Sequence, residues 1–137
     1  MYNLNMKYTI KLDKQIKPSA IQNLRSSVGW LPDDEPIWAN AIENAIEVVS
    51  AFDGDKLIGV GFLVGNMRHA VMCDICVSPE YQRQGIGDMI IESLVASAIN
   101  RKIKYVTLTF NESNPWLVKV YGRHGFKSIN NAMQLVY

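Results

Sequence analysis

The feature that most constrains the fold is a strand, a glycine-containing loop and a helix that follow one another between residues 70 and 100. Residues 70–77, AVMCDICV, have the composition of a strand. The loop reads VSPEYQRQGIG over residues 77–87, and an apolar helical pattern covers residues 85–100. Because glycine is among the least favourable residues in a helix, two glycines where a helix begins need a physical reason.

Gly85 and Gly87 lie where a negatively charged ligand can be held. The first turn of a helix has backbone N–H groups without intrahelical partners, and the helix dipole makes that end partly positive. Glycine lets an anion approach the backbone closely and allows unusual dihedral angles. The stretch therefore predicts an anion site, with an ordinary helix start as the alternative. It lacks the third glycine of a dinucleotide-binding fingerprint and the Gly-Lys-Ser/Thr of a P-loop.

The rest of the chain alternates strand and helix patterns without repeats or linkers. The order β-α-α-β-β-β-α-β-α-β predicts an α/β fold, a mixed sheet with helices on its faces, in a single domain over residues 1–137. The other predicted elements are a strand at residues 6–12, a helix from Pro18 to Gly29, a helix capped by Asp33 or Asp34, a hairpin over residues 47–65, a strand at 104–110, a helix from Asn114 to Gly125, and one or two strands within 126–137.

Composition and charge narrow the classes of partner. The chain has 137 residues with 48% hydrophobic and 20% charged residues, as in globular domains. Its net charge of +1 argues against nucleic-acid binding through bulk positive charge. No apolar run approaches the ~18 residues of a membrane span, and the N-terminal stretch has no apolar signal-peptide centre. We therefore expect neither a nucleic acid nor a membrane as partner, and a cytoplasmic location.

Cys73 and Cys76 form a CxxC within the strand pattern at residues 70–77. Residues three apart on a regular strand point to opposite faces, and a redox CxxC usually begins a helix. A zinc site needs two further ligands, whereas the two histidines, His69 and His124, lie far apart in the sequence. The favoured interpretation is two buried structural thiols, and redox or metal chemistry is the alternative.

Two segments together resemble a known family. VSPEYQRQGIGDMIIESL resembles the acetyl-CoA-binding motif of the GNAT N-acetyltransferases, Gln/Arg-x-x-Gly-x-Gly/Ala, with Gln82, Gly85 and Gly87 as the matching residues. NPWLVKVYGRHGF, residues 114–126, is similar to the Asn…Tyr-x-x-x-Gly-Phe segment of the same family. The resemblance covers most of residues 19–126, and the two segments in this order are far more specific than either alone.

The resemblance implies a splayed sheet, acetyl-CoA as cosubstrate and a set of site residues. Backbone groups at the end of the 70–77 strand would contact the pantetheine, and those near Val77 would polarise the thioester carbonyl. Amides of the glycine loop would hold the pyrophosphate, and Asn114 would lie near the thiol. Tyr121 would be the catalytic general acid. The implied cosubstrate-binding residues are Ile75, Cys76, Val77, Gln82, Arg83, Gln84, Gly85, Ile86, Gly87, Asp88 and Asn114.

Two positions depart from the family pattern. Thr109 stands where many members have a glutamate base, so a water chain or another carboxylate, such as Asp74 or Glu112, would have to serve. Asp74 held by hydrogen bonds as an ordinary strand residue is the favoured alternative. Asp88 places a carboxylate beside the expected phosphate amides, although a negative charge in the first turn of a helix is itself favourable.

The sequence contains few signals that identify the acceptor of the acetyl group. The resemblance implies a primary amine, on a small molecule or a protein, and homodimers are a family habit. Asp33, Asp34 and Glu35 can attract a cation, but helix capping and solvation are the favoured reading. Trp30 and Trp38 are expected in the core. An N-acetyltransferase is the leading hypothesis, a non-catalytic acyl-CoA-binding or regulatory module of the same fold is the second, and a nucleotide-phosphate binder is the third.

Overall fold

A computed structural model describes residues 3–4, 7–111, 113–129 and 132–137. Within these ranges the chain forms a six-stranded sheet and four α-helices. The strands are β1 (Asn3–Leu4), β2 (Tyr8–Lys11), β3 (Glu47–Asp53), β4 (Lys56–Gly65), β5 (His69–Val77) and β6 (Tyr105–Thr107). The helices are α1 (Pro18–Ser27), α2 (Glu35–Asn44), α3 (Ile86–Asn100) and α4 (Leu117–Gly122), with a 3-10 turn at Pro79–Tyr81.

The sheet is mixed, as the sequence predicts. The strands lie side by side in chain order from β1 to β6, and each neighbouring pair is antiparallel except β5 and β6. Helix α3 connects those two strands, and a parallel pair requires a long crossover of this kind. The crossover places the N-terminus of α3 at the same end of the sheet as the C-terminus of β5.

Helices cover both faces of the sheet. α3 packs on one face, where Ile86, Ile90 and Leu94 are buried with core residues of β3 and β4. α1 and α2 cover the other face through a second buried cluster that includes Phe62 of β4. A Cβ built on Gly61 would lie 2.6 Å from Cγ2 of Ile90, so glycine on β4 is what lets α3 approach the strand so closely. Of the helices within the described ranges, none is long and apolar enough to cross a membrane.

The last part of the chain differs from the predicted elements. β6 is shorter than the predicted strand at 104–110, and the helix expected from Asn114 begins at Leu117. Asn114 instead starts a turn, since its carbonyl accepts the amide of Leu117 at 3.0 Å. Residues 126–129 and 132–137 contain no strand, so the predicted final strand is absent from these described residues. Residues 132–137 are exposed and make no ladder with β6, and an alternating pattern alone forms no strand without such a partner.

A β-bulge overturns the expected orientation of the two cysteines. Val60 pairs with Cys76 and Phe62 with Cys73, so two residues of β5, Asp74 and Ile75, oppose one residue of β4. Asp74 adopts a left-handed conformation with φ of 53°. The extra residue brings both cysteines to the cluster beneath α1 and α2, whereas a regular strand would place them on opposite faces.

Candidate active site

The sheet splays open between β5 and β6. The two strands pair only where His69–Val71 faces Tyr105–Thr107, and no described strand pairs with that side of β5 from residue 72 onwards. At the far end of β5, the amide of Ser78 donates to the carbonyl of Ile58 at 2.8 Å. Hydrogen-bonded and non-hydrogen-bonded pairs alternate along antiparallel strands, so the next pair, Gly59–Val77, is non-hydrogen-bonded. The N–H and C=O of Val77 therefore point away from β4, towards the opening.

The same alternation separates the three predicted residues of β5. The pair Val60–Cys76 is hydrogen-bonded, so the backbone of Cys76 faces β4 rather than the opening. The Cys76 side chain is buried on the side of α1 and α2. Ile75 lies in the bulge, and its side chain packs on the side of α3. Of the three, Val77 is the one whose backbone the register turns towards the opening.

Gln82 fastens the glycine loop to the end of β5. Its Nε2 donates to the carbonyl of Val77 at 2.9 Å. Gln84 is tied on its other side, where its Oε1 accepts a hydrogen bond from the Tyr8 hydroxyl at 2.8 Å. Both glutamine side chains of the motif thus hold the loop in place within the protein itself.

The beginning of α3 presents a row of free backbone donors. Gly85 is the N-cap, with φ of 86°, and Arg83 is also left-handed, with φ of 63°. The first α3 amide with a backbone acceptor is that of Met89, which donates to the carbonyl of Gly85 at 3.1 Å. Among the described residues, the amides from Arg83 to Asp88 have no acceptor, and residues 82–85 are exposed. Such a nest of N–H groups at a positive helix end suits a phosphate.

The two motif glycines are present for different reasons. Gly85 has a positive φ, a conformation that costs other residues energy, although an added Cβ would meet no atom within 4 Å. Gly87 has no positive φ, and its Cβ would lie an ordinary 3.8 Å from Cγ2 of Val77. The fold therefore requires glycine at 85 but not at 87. Small size at 87 keeps the surface beside the free amides low, which fits a bound pyrophosphate group.

Asp88 is neutralised by two residues of the second motif. Its Oδ1 accepts hydrogen bonds from His124 Nε2 at 2.7 Å and from Arg123 Nη2 at 3.2 Å. The hydrogen bond from His124, together with Arg123, lowers the pKa of the Asp88 carboxyl below its ordinary value, although partial burial opposes this. The carboxylate that departs from the family pattern is thus directed at the two residues that follow α4 and has its charge offset there.

Tyr121 lies on α4 beside the open end of the sheet. Its ring centroid is 6.3 Å from that of Phe110 and 6.0 Å from that of Phe126, and burial raises the pKa of its phenol. No described residue hydrogen-bonds to its hydroxyl. The residue borders a groove of about 1020 Å³ that Thr109 and Phe126 also line. A phenol that is protonated at neutral pH therefore borders this groove, whose lining residues belong to β6, α4 and the segments adjoining them.

Comparison with known proteins gives a consistent result. A family model described as an acetyltransferase (GNAT) domain matches residues 33–135, most of the chain. The chain belongs to the GNAT acetyltransferase family. The solved structure of a probable acetyltransferase from Staphylococcus aureus is 25% identical, with a TM-score of 0.83 over 95% of this chain and 99% of that chain.

Two further similar proteins are a solved structure and a curated relative. The ribosomal-protein-S18-alanine N-acetyltransferase of Escherichia coli is 22% identical, with a TM-score of 0.79 over 90% of this chain and 79% of that chain. GCN5-related N-acetyltransferase 2, chloroplastic, from Arabidopsis thaliana is 30% identical over 79% of this chain and 49% of its own length. The chain spans from 49% to 67% of the lengths of the curated relatives that it matches.

Thr109 occupies the position at which the resemblance implies a base in many members of the family. Thr109 is exposed in the groove beside Tyr121 and offers no carboxylate there. Asp74 is engaged elsewhere, since its Oδ1 accepts a hydrogen bond from Arg25 Nη1 of α1 at 3.0 Å. That contact agrees with the interpretation of Asp74 as a hydrogen-bonded strand residue. Glu112, the other carboxylate considered, lies outside the described residues.

The segment at residues 31–37, which contains the acids that could attract a cation, is exposed throughout. Asp34 occupies the N-cap position of α2, but its side chain makes no capping hydrogen bond. Trp38 is buried with 4% of its surface exposed, as predicted. The prediction for Trp30 is wrong, because it is 40% exposed and lies over the guanidinium of Arg25 at 4.9 Å.

Sequence reasoning missed His124, Arg123 and Arg25 as parts of this region. A signal for the first two was present in the sequence, because Asp88 in one motif could pair with basic residues of the other. Arg25 had no such signal, since its partner Asp74 lies 49 residues away. Asn114 is half-buried in the turn before α4. Among the described residues, no group of three metal-ligating side chains is close enough to hold a metal ion.

Proposed function

We propose that this protein is an acetyl-CoA-dependent N-acetyltransferase that transfers the acetyl group directly to a primary amine. The proposal rests chiefly on one juxtaposition. The free amides at the start of α3 lie next to Val77, whose N–H faces the opening and whose carbonyl accepts the hydrogen bond by which Gln82 fastens the loop. This arrangement matches a CoA thioester, which has a diphosphate at one end and an extended polar chain at the other.

The donor would be bound mainly by backbone groups. Amides from Arg83 to Asp88 would donate to the pyrophosphate oxygens, and the exposed Arg83 side chain would add a positive charge. The backbone of β5 on its open side would hold the pantetheine, and Asn114 would contact the cosubstrate near the thiol end. The N–H of Val77 would donate to the thioester carbonyl and stabilise negative charge that develops on that oxygen.

Tyr121 would supply the proton that the reaction needs at sulfur. The neutral amine attacks the thioester carbon, a C–N bond forms and the C–S bond breaks. The phenol of Tyr121 protonates the departing thiolate, and burial keeps that phenol in its protonated form at neutral pH. The acetylated nitrogen gives up its proton to water, since Thr109 cannot act as a base, and water returns a proton to the Tyr121 phenolate.

The acceptor would be a primary amine of a small molecule or a protein. The exposed carboxylates at Asp33, Asp34 and Glu35 favour the approach of a cationic amine at long range, an effect that salt screens. The cytoplasmic location and a homodimer stay predictions from the sequence and its resemblance.

Calorimetry with acetyl-CoA and CoA tests donor binding. We expect the wild type to bind both ligands and Gly85→Val to lose binding. Gly54→Val is a matched control, because Gly54 also has a positive φ, 59°, with no atom within 4 Å of an added Cβ. It should share the backbone strain of Gly85→Val but keep CoA affinity. A folded wild type that binds neither ligand contradicts the proposal.

A second candidate is a non-catalytic acyl-CoA-binding module, and Thr109 at the usual base position favours it. A broad amine panel with detection of the released CoA thiol separates the two functions. Binding without turnover on any amine supports the module, whereas turnover supports the enzyme. Competition between CoA and ATP tests the third candidate, a nucleotide-phosphate site at the same helix end.

A further inference from the structure

Asp88 stands at the junction of the two motifs. It belongs to the first turn of α3, and its own amide is one of the free donors there. Its side chain points the other way, to His124 Nε2 at 2.7 Å. Since a carboxylate can only accept, His124 is the donor in this bond. The His124 side chain is 14% exposed, so the bond is largely shielded from water on that side.

His124 is in turn bound to the backbone of Tyr121. The His124 amide donates to the Tyr121 carbonyl at 3.0 Å, and the Phe126 amide donates to the same oxygen at 3.2 Å. These two hydrogen bonds hold the backbones of Tyr121 and His124 in one turn of the chain, so that the two residues shift together. Any shift of His124 relative to α3 carries the phenol with it.

We propose that Asp88 and His124 are positioning residues for acyl transfer, and that their hydrogen bond sets where α4 holds Tyr121 relative to the start of α3. The inference rests on the proposed function, because it assumes that Tyr121 acts on a thioester held by the α3 amides. Proton transfer at sulfur depends steeply on distance. A displacement of about 1 Å can cost up to ~10²-fold in rate, while the amides that bind the diphosphate stay in place.

The charge of Asp88 makes the proposal separable from simpler roles. A carboxylate beside phosphate amides opposes anion binding, so its removal should leave CoA affinity unchanged or improve it. If Asp88 only tuned that charge, kcat would not change. If it only stabilised the fold, kcat would follow thermal stability in every variant. Positioning instead predicts a fall in kcat at an equal or lower KM for acetyl-CoA.

Four variants test this, each measured for CoA affinity, for kcat and KM, and for melting temperature. His124→Leu removes the donor, whereas His124→Gln keeps a donor close to the place of Nε2. We expect kcat to fall by about tenfold to a hundredfold in His124→Leu and in Asp88→Ala, which removes the acceptor, with CoA affinity unchanged or higher in Asp88→Ala. His124→Gln should restore kcat to within about threefold of the wild type. Asp55→Ala, which removes an exposed carboxylate in the turn between β3 and β4, is the matched charge control and should behave as the wild type.

The outcomes distinguish this inference from the proposed function. Wild-type kcat in both His124→Leu and Asp88→Ala overturns the inference, as does a His124→Gln variant as slow as His124→Leu at equal melting temperature. A wild-type protein that binds no CoA, or that turns over no amine, overturns the proposed function and this inference with it.

Discussion

His124 donates a hydrogen bond to Asp88 across 2.7 Å, and this bond joins two segments that lie 36 residues apart in the chain. One segment carries the free amides of α3 and the other carries Tyr121. The bond makes them one structural unit, with Arg123 as a second, more exposed partner of the same carboxylate. Asp88, an unexpected acid beside a phosphate site, is therefore part of the contact between these two segments.

The stability contributed by Asp88 should depend on pH in one direction. Its folded-state pKa is lowered, first by the His124 hydrogen bond, so its contribution is present above the unfolded pKa of ~3.9 and is lost as the pH falls through the lower folded value. Because the side chain is 44% exposed, we expect at most about 1 kcal/mol. Urea unfolding of wild type and Asp88→Asn between pH 3 and 6 measures this as a difference that shrinks in acid. A difference that grows on acidification contradicts the assignment.

Alanine at the two motif glycines should have opposite effects on stability. At Gly85 the left-handed φ of 86° makes alanine unfavourable by roughly 1–2 kcal/mol. At Gly87 the backbone is ordinary and the added Cβ has room, so alanine should stabilise the helix start by about 0.5–1 kcal/mol. Chemical unfolding of the ligand-free variants measures both changes. Changes of the same sign in the free energy of unfolding would contradict the conclusion that the two glycines are present for different reasons.

Both cysteine thiols should be unreactive in the folded protein. Burial, together with Asp74, raises the pKa of Cys73 to about 12, and burial raises that of Cys76 to about 11. Since the thiolate is the reactive form, at most roughly a thousandth of either thiol is reactive at pH 8. Mass spectrometry after iodoacetamide treatment should show little labelling until denaturant is added. Rapid labelling of the native protein would revive the redox interpretation.

The bulge at Asp74 should tolerate asparagine better than alanine. Either change removes the ion pair with Arg25, whose side chain is 14% exposed, at a cost of about 1–3 kcal/mol. Alanine adds a further ~1 kcal/mol because Asp74 has φ of 53°, a conformation that asparagine adopts more readily. Urea unfolding of the two variants gives the order of stability. Equal losses would mean that the left-handed backbone relaxes, and lost turnover at full stability in Asp74→Asn would make Asp74 a candidate base.

The central unit of the fold could be predicted because its signals are local. The β5 composition, the glycines and the apolar pattern of α3 lie within about thirty residues, and the left-handed Gly85 is the conformation that glycine allows most readily. The mixed order of the sheet followed from the alternation of strand and helix patterns. These features depend on residues that lie close together in the sequence.

The rest depends on contacts between distant residues. The bulge at Asp74, which reverses the expected cysteine geometry, is a matter of register between β4 and β5, and it leaves no trace in the alternation of β5 alone. The His124–Asp88 bond likewise needs α4 to dock beside α3. The final strand was predicted from β-forming residues at 126–137. A strand forms only where it pairs with a neighbouring strand, and the described residues of this range pair with none.

Tyr121→Phe should separate chemistry from binding. The hydroxyl has no hydrogen-bond partner among the described residues, so its loss should change the free energy of unfolding by less than about 0.5 kcal/mol. If the phenol protonates the leaving thiolate, kcat should fall by about 10²-fold while CoA affinity stays unchanged. Thiol-release assays with the best amine of the panel, together with CoA titrations, measure both quantities. Tyr137→Phe is the matched control, because Tyr137 is fully exposed and does not line the groove. Equal turnover in Tyr121→Phe and Tyr137→Phe would remove Tyr121 from the reaction and leave its ring as a packing partner of Phe110 and Phe126.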